Sequence, residues 1–246
     1  MQSTYGDGGT TTMPGYGQFC PIAQAAEVLA ERWTPLVIRE LALVGSRRFN
    51  DIQRGVPRMS SSLLTKRLRQ LERAGIVERR QRADGNVTEY HLTPAGEELG
   101  PVVAQMGIWG ERWLRRPIFE DEPDTGLLMW WMRGTIEPDA LPAGRTVIHF
   151  HFRRAPENLR HFWLVLPDAD LCLSDPGFGV DITIHSDAKT LTALWMGDLD
   201  VGAALSRGTM ELQGPTRLVR SFPKWFGLHP LSANVDHPPA RPRISA

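Results

Sequence analysis

Apolar residues first recur at helical spacing over residues 22–32. Ile22, Ala25, Ala26 and Leu29, followed by Trp33, fall on one face and predict a helix. Pro35 suits the first turn of a second helix over residues 35–44, and Gly45 suits its end. Phe49, Ile52 and Val56 mark a third helix over residues 49–54, which stops before Pro57. Residues 60–74 carry the sharpest pattern. A serine cap opens them, Gly75 stops them, and Leu64, Leu68 and Leu71 form a stripe at i, i+4 and i+7. Ser62, Thr65, Lys66, Arg69 and Arg73 occupy the opposite face, so one side packs while the other presents hydroxyls and cations.

The period then changes to two. Residues 76–81 and 88–92 alternate like strands around a turn at residues 83–86, giving a hairpin that carries Arg79, Arg80 and Arg82. Thr93 and Pro94 suit the cap and first position of a long helix reaching residue 115. Val102, Val103, Met106, Trp109 and Trp113 make that helix too apolar for the end of a lone domain, and it is expected to meet a second copy of the chain.

Charge sharpens this picture. The chain has 28 basic and 28 acidic residues, yet residues 45–82 hold 11 basic residues against 3 acidic ones. A basic block inside a neutral protein is the footprint of a polyanion-binding surface. The 246 residues allow one large or two small domains. With 41% hydrophobic and 23% charged residues, composition excludes a collagen-like or wholly disordered chain. No apolar run approaches the roughly 20 residues of a membrane span. The start of the chain shows no secretory signal, and two cysteines cannot build a disulfide framework, so a cytoplasmic protein is expected.

Cys20-Pro21-Ile22, the run from Glu31 to Leu41, Arg48-Phe49-Asn50-Asp51-Ile52, the run from Ser60 to Val77, and Tyr90-His91-Leu92-Thr93-Pro94-Ala95-Gly96 together resemble the HxlR-type winged helix-turn-helix regulators, relatives of the MarR group. The resemblance spans about residues 18–116. It implies a homodimer on a pseudo-palindromic double-stranded DNA operator, with residues 60–74 as the reading helix and residues 79–89 as the wing. The DNA-contact candidates are Ser61, Ser62, Thr65, Lys66 and Arg69 on the helix and Arg80 and Arg82 on the wing; Arg67 falls near the helix flank. Cys20 occupies a position where several such regulators resemble thiol sensors. A helix N-terminus favours a thiolate, but Pro21 follows at once and no cation is close in sequence, so a plain packing role stands beside the redox one.

In the second half, Leu127, Leu128, Met129, Trp130, Trp131 and Met132 predict a helix joining the two halves, behind an acidic linker at residues 120–124. Alternating runs at residues 147–153, 162–166, 170–174 and 181–186 predict a small antiparallel sheet. Helices at residues 188–196 and 201–206, a strand at 209–213 and an amphipathic helix at 215–225 follow. The order and the short motifs around Val180–Ile184, Leu191–Asp200 and Ala203–Gly214 are similar to the sterol carrier protein fold over about residues 145–228. That resemblance implies a five-stranded sheet backed by helices around an apolar tunnel, with Trp163, Leu191, Leu194, Trp195, Phe222, Trp225 and Phe226 as lining candidates.

The expected organisation is therefore α+β: a tail at residues 1–18, a winged helix at 19–117, a linker and helix at 118–144, a sterol-carrier-like sandwich of mostly antiparallel sheet and helices at 145–229, and a Pro-rich tail at 230–246. His149 and His151 share a strand face and with His161 or His185 form a candidate metal set, but no Cys or Glu falls at a matching ligand spacing, so no metal is expected. The pairs Asp168/Asp170 and Asp198/Asp200 sit in turns, where aspartate bonds locally. No nucleophile elbow, phosphate loop or dinucleotide fingerprint is present, so neither an enzyme nor a cofactor is expected. The expected function is a sequence-specific DNA-binding regulator acting as a homodimer and modulated by an apolar small molecule or lipid. The alternative is an apolar-ligand carrier whose winged helix makes no sequence-specific contact.

Overall fold

A computed structural model of the chain describes residues 15–82, 87–114 and 123–232. The expected tails (apart from residues 15–18 and 230–232), the hairpin turn at 83–86 and the acidic stretch at 120–122 lie outside these residues. In the N-terminal unit, α1 (Pro21–Leu29) precedes α2 (Thr34–Arg39), which continues into a π-helical turn, Glu40–Val44. Gly45 closes that turn at φ 77, a left-handed conformation that suits glycine. Next come α3 (Phe49–Gly55) and α4 (Ser61–Arg73), whose first turn is capped by Ser60 Oγ accepting from the Leu63 amide at 3.3 Å. The hairpin pairs β1 (Val77–Gln81) with β2 (Thr88–Leu92) antiparallel.

The expected long helix is broken. Thr93 caps a short α5 (Pro94–Glu97), its Oγ1 accepting from the Gly96 amide at 3.2 Å, and α6 (Leu99–Leu114) starts afresh. Pro101 explains the break: it has no amide to give the Glu97 carbonyl, and its ring crowds that carbonyl. The leucine stripe of α4 faces inward as expected. Leu64, Leu68 and Leu71 join Val37, Ile38, Leu41, Ile52, Val56, Met59 and Val103 in one core. Each such burial contributes about 1.5–3 kcal/mol. The stripe expected on α1 does not pack in this way. No α1 residue is buried, and Ile22 is 79% exposed.

The second unit opens with α7 (Thr125–Met132), capped by the Asp124 carboxylate on the Leu127 amide at 3.0 Å. Five strands follow: β3 (Thr146–Phe152), β4 (His161–Leu166), β5 (Asp170–Cys172), β6 (Ile182–Ser186) and, after two helices, β7 (Glu211–Gln213). They lie in the order β5-β4-β3-β6-β7. The expectation of an antiparallel sheet needs one correction, because β3 and β6 pair in parallel at its centre. The two helices, α8 (Ala188–Met196) and α9 (Val201–Ser206), match their expected bounds. Asp187 and Asp200 cap them, accepting from the Thr190 and Ala203 amides at 2.7 and 2.8 Å, which accounts for one of the turn aspartates.

The expected final helix stops early. α10 (Thr216–Ser221) tightens into a 3-10 turn, Phe222–Lys224, because Pro223 cannot donate to the Val219 carbonyl. Strand alternation divides the sheet into two faces. Ile148, Phe150, Phe152, Phe162, Leu164, Leu166, Ile182 and Ile184 are buried in one core with Leu128 and Met129 of α7 and Leu191 and Trp195 of α8. His149, His151, His161, Trp163 and His185 stand half-buried on the other face.

Candidate nucleic-acid interface and ligand cleft

Helix α4 turns its polar side outward. Ser61, Ser62, Lys66, Arg69, Gln70 and Arg73 are exposed and Thr65 half-buried, while Leu64, Leu68 and Leu71 are sealed beneath. Ser62, Thr65, Lys66, Arg69, Gln70 and Arg73 line one shallow groove. Thr65 Oγ1 donates to the Ser61 carbonyl at 2.9 Å, which fixes its rotamer. Among the described residues, Lys66, Arg69 and Arg73 form no ion pair. Arg67 is different: it is 7% exposed, and its Nη2 bonds Glu31 Oε2 at 2.9 Å, so it ties α4 to the segment after α1. Its place on the helix flank, legible in the sequence, makes it a structural residue.

On the hairpin, Arg79 lies opposite Tyr90 and Arg80 opposite Glu89. Arg80 is ion-paired with Glu78, whereas Arg82 is exposed at the mouth of the turn, its amide bonded to the Val87 carbonyl at 2.9 Å. An exposed pair such as Arg80–Glu78 is worth about 0–1 kcal/mol, so Arg80 is only weakly held from an outside anion. Cys20 sits half-buried at the position before α1, without capping it, and Cys172 lies half-buried on β5; both are free thiols.

A cleft of about 940 Å³ opens between α8, α9 and the end of α10. Of the seven residues expected in a tunnel, Leu191, Leu194, Trp195, Phe222 and Phe226 line it. Trp225 does not; it is fully buried in the core. Trp163 does not either, because strand parity puts it on the other sheet face, stacked on His149 with ring centroids 4.7 Å apart. Met132, the last residue of α7, contributes to the wall, and Arg207 and Arg220 stand among the lining residues.

Sequence reasoning missed the junction between the units. Glu40 has no exposed surface. Its Oε1 accepts from Arg39 Nη2 at 2.8 Å and Trp131 Nε1 at 3.2 Å, and its Oε2 lies 3.4 Å from both Ser46 Oγ and Trp130 Nε1. Arg39 also donates to the Gly55 carbonyl at 2.8 Å and lies over the Trp131 ring. Burial pushes the Arg39 guanidinium below its ordinary value, against the opposing pull of Glu40. Trp130 lies under the guanidinium groups of both Arg133 and Arg54, at 3.6 and 5.3 Å from its centroid. The available signal was the phase of α2: Glu40 follows Val37 by three residues and so falls on the apolar face.

An outward cationic helix beside a basic hairpin, both mounted on a three-helix core, defines a winged helix-turn-helix DNA-binding unit. Residues 28–117 match the model of the HxlR-like helix-turn-helix family. The uncharacterized HTH-type transcriptional regulator YvaP of Bacillus subtilis is 34% identical over 99 residues, 39% of this chain and 91% of that protein. An uncharacterized HTH-type transcriptional regulator of Synechocystis is 38% identical over 111 residues, 45% of this chain and 82% of that protein. The solved reduced form of the transcriptional regulator YodB from B. subtilis is 33% identical, covering 39% of this chain and 95% of that one, with a TM-score of 0.34. The chain belongs to the HxlR-like helix-turn-helix family, and its N-terminal unit is a DNA-binding module of transcription regulation.

Proposed function

We propose that the chain is a sequence-specific transcriptional regulator that binds an operator as a homodimer and whose affinity responds to an apolar ligand in the C-terminal cleft. One observation carries the DNA-binding mode: the outward face of α4 gathers Ser62, Thr65, Lys66, Arg69 and Arg73, with its cations uncommitted among the described residues, while the opposite stripe is buried. In this reading α4 enters the major groove, where Ser61, Ser62, Thr65, Lys66 and Arg69 meet base edges, and Arg80 and Arg82 of the wing meet phosphates.

The dimer reading rests on α6. Val102, Met106, Trp109, Trp113 and Leu114 are all exposed, and Phe19 and Ile22 near α1 are exposed as well. A face of that size and apolarity on a two-fold DNA reader suits a second copy of itself. In this reading the units divide near residue 117, as the sequence suggests, and α7 counts with the C-terminal unit, into whose core Leu128, Met129 and Met132 pack. The five-stranded sheet and packed helices of the second unit support reading it as a sterol-carrier-like sandwich, and the apolar residues of its cleft wall support a lipid-like ligand.

The coupling would run through α7. Met132 and Trp195 line the cleft, Trp195 packs on Trp131 at 6.3 Å, and Trp131 donates to Glu40 in the winged helix. A ligand shifts operator affinity only by its different affinity for the two arrangements of this junction.

The deciding experiment is binding of the full-length protein to DNA from upstream of its own gene and to random DNA across a salt series. Selective upstream binding that weakens steeply with salt supports the regulator. Equal, weak binding to both DNAs favours the carrier alternative.

A further inference from the structure

The open face of the second unit's sheet concentrates four of the chain's seven histidines. His161 on β4 lies opposite His151 on β3, His151 opposite His185 on β6, and His185 opposite Glu211 on β7. Four strands therefore place three imidazoles and a carboxylate on one rung. His149 stands two residues before His151 on the same face. The rings touch: His151 stacks on His161 at 4.8 Å and 8°, His149 neighbours His161 at 5.2 Å, and His151 meets His185 edge-on at 5.1 Å. His149 Nε2 lies 3.0 Å from His161 Nδ1, and His151 Nδ1 lies 2.9 Å from His185 Nδ1.

Two imidazole nitrogens at that distance share one proton. As the rings stand, no three donors among the described residues form a metal-holding group; the nitrogens face each other in pairs instead. A tetrahedral ion at Zn–N distances of about 2.0–2.1 Å holds its nitrogens about 3.4 Å apart, so each pair must open and both pairs must turn towards a common point. The rings are half-exposed, so turning them meets solvent and not core. In each pair the shared proton moves to the far nitrogen of its own ring, and neutral imidazoles release no net proton.

We propose that this face binds one divalent transition-metal ion of the zinc class through His149, His151, His161 and His185, with Glu211 at the end of the rung as an alternative oxygen donor. An all-imidazole set selects zinc, copper, nickel or cobalt over calcium and magnesium, which require oxygen ligands.

The test uses the full-length protein and Co²⁺ alone. Visible d–d absorption should saturate at one equivalent and be abolished by an equal amount of Zn²⁺. His151→Ala and His185→Gln should each weaken Co²⁺ binding by about tenfold or more, while His91→Gln on the wing should leave it unchanged. Metal-free thermal melts verify that each variant is folded, and His185→Gln keeps a hydrogen-bonding side chain should the alanine variant not fold. Absent saturation, undiminished binding in a folded His185→Gln protein, or a near-ultraviolet charge-transfer band from a cysteine thiolate would each overturn the assignment.

Discussion

Gly55 has no side chain because Glu40 occupies the space one would need. A Cβ there would fall 1.9 Å from the Glu40 carboxyl carbon. Gly55→Ala should therefore destabilise the winged helix by about 1–3 kcal/mol, as overpacking does, seen as a lower denaturant midpoint with an unchanged slope. On the DNA side, Lys66→Ala or Arg69→Ala should cost about 1–3 kcal/mol on the operator and much less on random DNA, whereas Arg82→Ala should weaken both alike. Equal losses on both DNAs for the helix variants would remove α4 from the groove. His229 packs edge-on against Trp195 at 4.6 Å, and burial, with Arg39 adding to it, lowers its pKa from 6.5 to about 4. The unfolded chain then binds the extra proton first. The contribution of His229 to stability is complete above about pH 6.5 and is lost as pH falls towards 4. Melting temperature should decline over that window, and His229→Gln should flatten the decline.

At the scale of elements, the helix α6 shows how one residue redirects a pattern. Its apolar spacing was legible, but Pro101 splits the run and leaves α6 with Val103 inside and Met106, Trp109 and Trp113 outside. Trp109→Glu should convert a dimer into a monomer in light scattering at micromolar concentration, with secondary structure intact. A dimer that survives the substitution would place the interface elsewhere. The strands carry a similar lesson. Trp163 looked like a tunnel residue because it is large and apolar, yet parity decides its fate: Phe162, Leu164 and Leu166 face the helices, so His161, Trp163 and Val165 cannot. The polar His161 at the head of that strand already marked the outer face.

Across the whole molecule, the two units meet through a buried carboxylate and two indoles. Such a junction gains little net stability from its charges, because desolvation offsets attraction. It is directional, however, since both Trp130 and Trp131 must point at Glu40. Trp131→Leu removes the donor and the contact with Trp195. It should leave basal operator binding within about threefold while abolishing the change in operator affinity that a cleft-filling apolar ligand produces. Titrations of DNA with and without ligand read this directly, and an undiminished ligand effect in the variant would exclude α7 as the connection.

The sequence by itself determined several elements whose pattern is local. The α4 stripe and its cationic face, the Ser60 and Thr93 caps, the hairpin and the bounds of α8 and α9 all follow from periodicity and capping over at most four turns of chain. Only the tertiary structure decided which distant groups meet. The parallel pairing of β3 with β6 brings His185 beside His151, 34 residues away. The docking of α7 brings Trp131 to Glu40, 91 residues away. The physical reason is that a chain announces its local period residue by residue, whereas strand order and helix docking emerge from the burial of many side chains at once.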